Sequence, residues 1–341
     1  MMHIEISQLI RIGSLPKNLD TLKGLCFMRI AILGAGAMGM LFGGHLSRKN
    51  EVTLIDIDQQ KVDAVNQNGI TICNPDGTRT NEHPHATTDS SGMPPADLII
   101  VFVKAMFSRS ALQANKALIG PATYVMTLQN GSGHEEVLRE FAPPERIIIG
   151  TTQHNSSISD RSTINHGGGG KTVIGRLEGE LEALRPISES FTACGIDTEL
   201  SDQIRKMIWN KMFLNVSASV LTGVLQTKLG FLTDNEYAWS LTEQLLREAV
   251  RVANGDQLGF DEEEVVDRVK NQIIAAHDGY TSIYADLRDG RKTEVDTING
   301  SVVRASRRNG VPAPCHEFIV ALVHTKEALN AAAAEKSAGA Q

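Results

Sequence analysis

The 341-residue chain is longer than a single hydrophobic core usually serves, and 41% of its residues are hydrophobic, which is typical of a soluble globular protein with two domains. Its net charge of −7 argues against nucleic acid or an anionic membrane as a partner, because both repel a negative surface. No apolar run approaches the roughly 20 residues of a membrane-spanning helix. The four cysteines are scattered without a C-x-x-C spacing, which indicates free thiols and a reducing, cytoplasmic location.

Residues 28–58 have the pattern of a dinucleotide-binding βαβ unit. A predicted strand over residues 30–33 precedes a glycine turn, a helix over about 38–47, and a second strand over 52–55 that ends at Asp56. The turn has the spacing G-x-G-x-x-G and consists of Gly34, Ala35, Gly36, Ala37, Met38 and Gly39. This spacing alone is a weak signal, but the two strands and the acid favour a nucleotide site over a chance turn.

Each part of this unit has a physical reason. Gly34 permits a tight exit from the strand, Gly36 lets the backbone approach a pyrophosphate, and Gly39 lets the helix pack closely. The free N–H groups of the helix N-terminus then face the phosphates. Asp56 follows Gly34 by about 20 residues, where a carboxylate accepts both ribose hydroxyls. The same carboxylate repels a 2′-phosphate.

The rest of the first 201 residues alternates strands with helices, which predicts a parallel, doubly wound sheet. Residues 70–82 are expected to form a small hairpin, and residues 163–175 a flexible hairpin around a Gly167–Gly170 loop. The other predicted strands cover 96–103, 123–128, 146–150 and 196–200, and the predicted helices cover 59–68, 108–118, 133–141 and 181–194.

From Asp202 onward the strand signals vanish, which predicts an all-helical second domain. The expected fold class is therefore an α/β Rossmann-type doubly wound domain followed by an all-α C-terminal domain. Its predicted helices cover 203–225, 237–254, 262–276, 281–289, 294–308 and about 316–334. The predicted domains are a leader at 1–27 with no assigned role, a dinucleotide-binding domain at 28–201 and a substrate and catalytic domain at 202–335.

Two motifs point to sites that we do not expect. The GGGGKT sequence at 167–172 lacks the first glycine of a phosphate loop, because Asn165 stands in its place. His83 and His85 flank Pro84, but no third ligand lies at a usable spacing, so a solvated loop is favoured over a metal site. We expect no metal.

The predicted helix over 203–225 is apolar nearly all round, as in a buried helix. Lys211, Asn215 and Ser219 are four residues apart and form one polar stripe on it. A single lysine often lays its stem on apolar surface and keeps its ammonium in water. The aligned Asn215 and Ser219 instead favour a stripe that faces a cleft, since burying an ammonium is costly without polar partners.

Lys104 and Asn130 follow two predicted parallel strands. The carboxyl ends of such strands are where ligands bind in open α/β sheets. An ordinary Asn-Gly turn is the alternative for Asn130 and Gly131. The position of Asn130 at the end of a strand favours a role in cofactor binding over an ordinary turn.

Ser282 lies in a short predicted helix, and Glu294 begins the helix predicted over 294–308. Acidic residues are common in the first turn of a helix, because they interact favourably with its dipole. From the residues alone, a capping role of Thr293 and Glu294 is therefore favoured over a role in catalysis.

From Met28 to about residue 325 the chain resembles the ketopantoate reductase (2-dehydropantoate 2-reductase) family. The matching segments, in chain order, are GAGAMG, FVKAMFSRSAL, TLQNGSGHEEVL, GTTQHNSS, INHGGGGKTVIG, IWNKMFLNVSASVLTG and RKTEVDTINGSVVR. The resemblance implies a Rossmann domain, a helical domain and a cleft between them. It also implies reduction of a 2-keto acid to the D-2-hydroxy acid with NAD(P)H.

By this resemblance, Lys211 is the general acid that protonates the ketone oxygen. A lysine suits that role because its charge stabilises the developing alkoxide, and burial can lower its pKa toward useful values. Glu294 matches a catalytic carboxylate near the cofactor ribose and the substrate hydroxyl. The remaining matches are cofactor-binding positions at Lys104, Asn130 and Ser156 and substrate-binding positions at Asn215 and Ser282.

Two departures from the family pattern leave alternatives open. Ser219 stands at a substrate-binding position where the pattern has a second asparagine, so the keto acid is undetermined. Asp56 stands where typical members have a basic residue, which favours NADH over NADPH. The first hypothesis is a ketopantoate reductase-like enzyme for a branched 2-keto acid, and the second is an NAD-dependent, D-mandelate-like D-2-hydroxy acid dehydrogenase.

A third hypothesis, from another class, is a nucleotide-sensing protein without catalysis. It predicts loss of the proton donor, and both Lys211 and Glu294 are present. Family analogy allows a homodimer through the helical half, but the sequence alone leaves the oligomeric state open.

Overall fold

The computed structural model describes residues 27–338, with side chains through residue 334. Residues 1–26 of the leader lie outside the described part. The strands are β1 Arg29–Leu33, β2 Glu51–Ile55, β3 Ile70–Cys73, β4 Arg79–Glu82, β5 His85–Thr87, β6 Leu98–Val101, β7 Tyr124–Thr127, β8 Ile147–Thr152, β9 Asn155–Ile158, β10 Thr163–Gly168, β11 Thr172–Gly175 and β12 Thr198–Leu200.

The helices of the first half pack around these strands, and those of the second half pack on one another. The first group is α1 Ala37–Leu46, α2 Gln59–Asn68, α3 Ser108–Ala114, α4 His134–Leu138 and α5 Arg185–Ala193. The second group is α6 Ile204–Leu214, α7 Val220–Leu225, α8 Phe231–Asp234, α9 Glu236–Gly255, α10 Glu262–Ala275, α11 Ser282–Arg288, α12 Asn299–Asn309 and α13 Pro314–Ala338.

The main sheet has the strand order β12-β11-β8-β7-β6-β1-β2-β5. Its side chains alternate between two cores, with Ile30 and Ile100 on one face and Leu33 and Val101 on the other. Helix α1 packs on the first face and α3 on the second, which is the doubly wound arrangement. The predicted α/β Rossmann-type fold class is thus confirmed. One pair departs from the parallel prediction, since β8 and β11 are antiparallel.

The hairpin predicted over 70–82 is confirmed as β3 and β4, but the hairpin predicted over 163–175 is wrong. Strand β10 belongs to a second sheet of order β4-β3-β10-β9, whereas β11 joins the main sheet. The buried side chains explain the separation, because Ile164 packs in the core beneath α1 and Val173 packs on the opposite face of the main sheet. The glycine loop therefore crosses between sheets.

The helical half is built around a core that includes Phe213, Val216, Leu246, Val269 and Val302. This confirms the predicted all-α half, with two corrections described below for the stretches 203–225 and 294–308. Within residues 27–338, no helix combines the length and apolar character that crossing a membrane requires.

The two halves meet where the main-sheet strands end. Gly131, after β7, has φ +104°, and a Cβ there would lie 2.0 Å from the carbonyl oxygen of Thr297. The N–H of Ser132 donates to that same carbonyl at 3.2 Å. Only a glycine at position 131 permits this close approach of the two backbones.

We therefore expect Gly131→Ala to lower the free energy of unfolding by at least about 2 kcal/mol more than Gly77→Ala does. Gly77 also has a positive φ, +82°, but a Cβ there would meet no atom within 4 Å. Comparing the two variants separates the loss of stability caused by the steric clash from the loss caused by the positive φ angle. Urea denaturation of both variants measures the difference, and equal losses would contradict the close contact.

Candidate active site

A cavity of about 470 Å³ lies between the strand ends and the helical half. Leu128 and Gln129 contribute to its wall from the end of β7, and Thr152 contributes from the end of β8. The structure brings most of the predicted site residues together there, and those that line the cavity are Met38, Lys104, Asn130, Ser156, Lys211, Asn215, Ser282 and Glu294.

Lys211 occupies the last turn of α6 and lines the cavity as a partly buried cation. Its Nζ donates a hydrogen bond to the carbonyl oxygen of Thr152 at 2.9 Å. Burial lowers the pKa of Lys211 from 10.5 to about 8, because an ammonium loses its hydration there. Among the described residues no carboxylate lies within ion-pair distance of it, so no ion pair offsets that loss.

The predicted helix over 203–225 is interrupted by a π-helical turn, Asn215–Ser219, between α6 and α7. Such wide turns are rare and occur frequently at functional sites. The Ser219 hydroxyl donates to Oδ1 of Asn215 at 3.3 Å. Ser219 is only 3% exposed and is not part of the cavity wall, so the structure places it behind Asn215. Within the described part of the chain the amide N–H groups of Asn215 have no hydrogen-bond acceptor, so they can bind a ligand.

Glu294 does not begin a helix, which corrects the prediction for 294–308. Helix α12 starts at Asn299, residue 294 lies in a bend, and residues 295–298 form turns. Oε1 of Glu294 accepts the N–H of Ala105 at 3.2 Å, a contact between the two halves. Burial raises the pKa of Glu294, and that N–H bond opposes the rise.

The favoured capping role of Thr293 and Glu294 is also not observed, since α12 has no side-chain cap. Thr293 instead bonds to helix α13, where Oε1 of Glu327 accepts both its N–H at 2.8 Å and its hydroxyl at 2.7 Å. Tertiary contacts on both sides thus determine the conformation of this segment.

Lys104 reaches across the cavity to the helical half. Its Nζ lies 3.0 Å from Oδ2 of Asp286 and 2.9 Å from the carbonyl oxygen of Lys292. Asp286 follows Ser282 by four residues in α11, so both lie on the helix face toward the cavity. Asn130 lies in a turn whose backbone carbonyl accepts from Nε2 of His134 at 2.9 Å.

The glycine turn fits a dinucleotide. A Cβ on Gly39 would lie 1.9 Å from the carbonyl oxygen of Gly34, whereas a Cβ on Gly36 would project into open space, where a phosphate would approach. Helix α1 has no side-chain cap, so its first N–H groups remain available. The buried Ser156 hydroxyl likewise has no partner among the described residues. These donors suit the phosphates and nicotinamide end of NAD(P)H.

A second cavity of about 400 Å³ adjoins the first, and Val103 lines both. Gly34 and Asp56 line the second cavity. Asp56 accepts the N–H of Ala35 at 2.7 Å and lies 3.2 Å from Nζ of Lys61. The first glycine of the turn and the acid therefore flank this second cavity.

The comparisons with known proteins agree with this geometry. A family model described as ketopantoate reductase PanE/ApbA matches residues 30–179, and its C-terminal counterpart matches residues 203–327. The 2-dehydropantoate 2-reductase of Lactococcus lactis is 33% identical over 311 residues, covering 89% of this chain and 99% of the relative. The enzyme of that name from Halobacterium salinarum is 30% identical over 298 residues, covering 87% and 98%.

The chain belongs to the ketopantoate reductase family.

Solved structures of similar proteins support the same family. D-mandelate dehydrogenase with NADH and anilino(oxo)acetate is 30% identical with a TM-score of 0.82, covering 89% of this chain and 99% of that one. A putative 2-dehydropantoate 2-reductase from Enterococcus faecalis is 30% identical with a TM-score of 0.72, and the match covers 89% of this chain and 99% of that one. The predicted enzyme class, an NAD(P)-dependent oxidoreductase acting on CH–OH, is confirmed, and the non-catalytic alternative is thereby set aside.

Sequence reasoning missed several residues of this ketopantoate reductase-like site. The Thr152 carbonyl is a backbone group that no side-chain pattern reveals, but the four-residue spacing from Ser282 could have pointed to Asp286. His154 and His166 also lie together, with Nδ1 and Nε2 3.1 Å apart, and burial lowers the pKa of both.

No group of three or more His, Cys, Asp or Glu side chains in the described part is arranged to hold a metal ion. His83 and His85 are exposed. His85 begins the short edge strand β5 rather than lying in a loop, which corrects that prediction.

The burial of Lys211 makes stability depend on pH. Between about pH 8 and pH 10.5 the unfolded chain retains a proton that the folded chain has released, so the ammonium destabilises the fold below pH 8 and this cost vanishes by pH 10.5. We expect Lys211→Met to be more stable than the parent at pH 7, by on the order of 3 kcal/mol before the lost hydrogen bond is counted. At pH 10 the difference in unfolding free energy between Lys211→Met and the parent is expected to be smaller.

Urea unfolding at both pH values measures this gap. Lys206→Met is the matched control, because Lys206 lies in the same helix but outside the cavity. A gap of the same size at pH 7 and pH 10 would show that the Lys211 ammonium is not withdrawn from water.

Proposed function

We propose that this protein reduces a branched 2-keto acid to the D-2-hydroxy acid, with NADH as the hydride source. One observation is central to this proposal: a largely desolvated ammonium, which has no carboxylate partner among the described residues, faces the ends of the strands that follow the glycine turn. We assign cofactor binding to residues 28–201 and substrate binding and catalysis to residues 202–335. No role is assigned to residues 1–27.

Lys211 acts as the general acid. A pKa of about 8 lies near physiological pH, so the group is largely protonated and yet able to give up its proton. The Thr152 carbonyl accepts one N–H of the ammonium, which leaves two N–H donors for the substrate oxygen. The positive charge then stabilises the negative charge that develops on that oxygen, most strongly in a site with little water.

Three other side chains are assigned to the substrate. Glu294 has one oxygen bonded to Ala105, and its other oxygen is available to a substrate hydroxyl or to the cofactor ribose. The amide of Asn215 and the hydroxyl of Ser282, both in the cavity wall, bind the carboxylate end of the keto acid. Ser219 acts on the substrate through Asn215, whose Oδ1 it engages.

On the cofactor side, the glycine turn Gly34, Ala35, Gly36, Ala37, Met38 and Gly39 holds the pyrophosphate. Lys104, Asn130 and Ser156 bind toward the nicotinamide end. Asp56 selects NADH, because its carboxylate accepts ribose hydroxyls and repels a 2′-phosphate. A similar protein, D-mandelate dehydrogenase, is described in complex with NADH.

The second candidate is an NAD-dependent D-2-hydroxy acid dehydrogenase of the D-mandelate type. Two observations favour it: the structural likeness to D-mandelate dehydrogenase, and the serine at position 219 in place of the family's second asparagine. A site without that amide would bind the polar end of pantoate less well.

We also propose a cytoplasmic location, which the unpaired thiols of Cys73, Cys194 and Cys315 support. The exposed apolar side chains of Phe231, Tyr237 and Leu241 in the helical half support a homodimer.

We expect Lys211→Ala to lower kcat/KM by about 100-fold or more, because the proton donor is lost. NADH binding, measured by fluorescence titration, should change little. In the parent enzyme, kcat/KM for reduction should fall as the pH rises through about 8, where Lys211 loses its proton.

Lys206→Ala serves as the control, since it removes a lysine from the same helix outside the cavity. Unchanged turnover in Lys211→Ala would refute the assignment of the general acid.

We expect NADH to give a higher kcat/KM than NADPH, and Asp56→Asn to narrow the difference. An asparagine keeps an acceptor for the Ala35 N–H while removing the charge. The measurement is the loss of reduced-nicotinamide absorbance with ketopantoate, 2-ketoisovalerate and phenylglyoxylate in turn. A parent preference for NADPH would count against the role of Asp56, and fastest reduction of phenylglyoxylate would favour the second candidate.

A further inference from the structure

We propose that Lys61 is a specificity-determining residue, an anchor for a 2′-phosphate that the charge of Asp56 masks. The inference rests on the proposed function, because it concerns the cofactor of that same site. Lys61 is not part of the glycine turn, and it is distinct from the acidic residue that follows the second strand.

The ion pair between Lys61 and Asp56 is the first observation. Lys61 lies in the first turn of α2, where its Nζ is 3.2 Å from Oδ2 of Asp56. The Lys61 side chain is 19% exposed and the Asp56 side chain 12%, so neither is an ordinary surface group. Within residues 27–338, Lys61 is the cation within ion-pair distance of Asp56.

Both carboxylate oxygens of Asp56 already accept hydrogen bonds from neighbouring groups. Oδ2 accepts the N–H of Ala35 at 2.7 Å as well as the Lys61 ammonium, and Oδ1 accepts the N–H of Asp58 at 3.0 Å. A carboxylate offers about four lone-pair positions, so at least one remains for a ribose hydroxyl. Because Lys61 touches the carboxylate that this hydroxyl would reach, a phosphate on the 2′-oxygen would lie beside the ammonium.

The charges around this position explain why the anchor is masked. Asp56 and Asp89 line the second cavity, and Asp58 caps helix α2, so the described residues place three acids around this position against the single ammonium of Lys61. A 2′-phosphate therefore meets net repulsion although Lys61 is within reach. Once the charge of Asp56 is removed, the ammonium loses its partner and becomes available to the phosphate.

The experiment measures cofactor binding to the full chain without any substrate. Adenosine 2′,5′-bisphosphate and AMP differ only in the 2′-phosphate, and calorimetric titration gives the Kd of each. The variants are Asp56→Asn, Lys61→Met, Asp56→Asn combined with Lys61→Met, and Asp56→Asn combined with Arg161→Met. Arg161 donates to the side chain of Gln60, next to Lys61 in the chain, and is the matched control cation.

We expect Asp56→Asn to bind adenosine 2′,5′-bisphosphate on the order of tenfold more tightly relative to AMP than the parent does. Adding Lys61→Met should abolish most of that gain, whereas adding Arg161→Met should leave it. Lys61→Met alone should weaken NADPH binding and leave NADH binding within about twofold. Thermal unfolding of each variant verifies that the fold is retained.

The inference is overturned if Asp56→Asn combined with Lys61→Met binds the bisphosphate as tightly as Asp56→Asn does. It is also overturned if Arg161→Met removes the gain instead. A failure of the proposed function looks different, because the parent would then bind neither NADH nor AMP. In that case the dinucleotide site itself is wrong, and the role of Lys61 is rejected with it.

Discussion

The arrangement of the site depends on one constraint, an ammonium held away from water where the two halves meet. Lys211 reaches this position because its helix is buried through Trp209, Met212 and Phe213. The apolar packing of these side chains offsets the loss of hydration, and among the described residues the cation has one backbone carbonyl as its partner. A group with unmet donors in a cavity is poised to bind an oxygen that gains negative charge, and that is the chemistry proposed for it.

The other half of the site depends on backbone contacts between the two halves. The segment after α11 bonds to the ends of two strands: Lys104 reaches the Lys292 carbonyl, Ala105 donates to Glu294, and Ser132 donates to the Thr297 carbonyl. The Ser132 bond joins main chain to main chain, and each of the other two joins a side chain of one half to the main chain of the other half. The position of the Glu294 carboxylate over the strand ends follows from these bonds.

Much of the fold could be predicted, because the buried strands are continuous apolar runs and the long helices are periodic. The four-residue spacing of Lys211 and Asn215 also predicted that the two side chains lie on the same face of their helix. Strand β9 gave no such signal, since its residues are largely exposed. The segment at 294–298 misled the prediction, because Val295, Ile298 and Val302 have helical spacing and are all buried. There the bonds of Glu294 and Thr293 to neighbouring elements override the local preference.

The serine at position 219 has a consequence beyond the loss of one amide. Its carbonyl accepts from the hydroxyl of Thr281, which also caps helix α11 by accepting the N–H of Tyr284. The orientation of Asn215 and the start of the helix that begins with Ser282 are thus linked through one buried serine. Since Ser219 is buried, a larger asparagine there would displace these partners rather than simply add a contact. Under the proposed function, substrate choice at this end of the cavity is therefore a property of the linked set rather than of a single side chain.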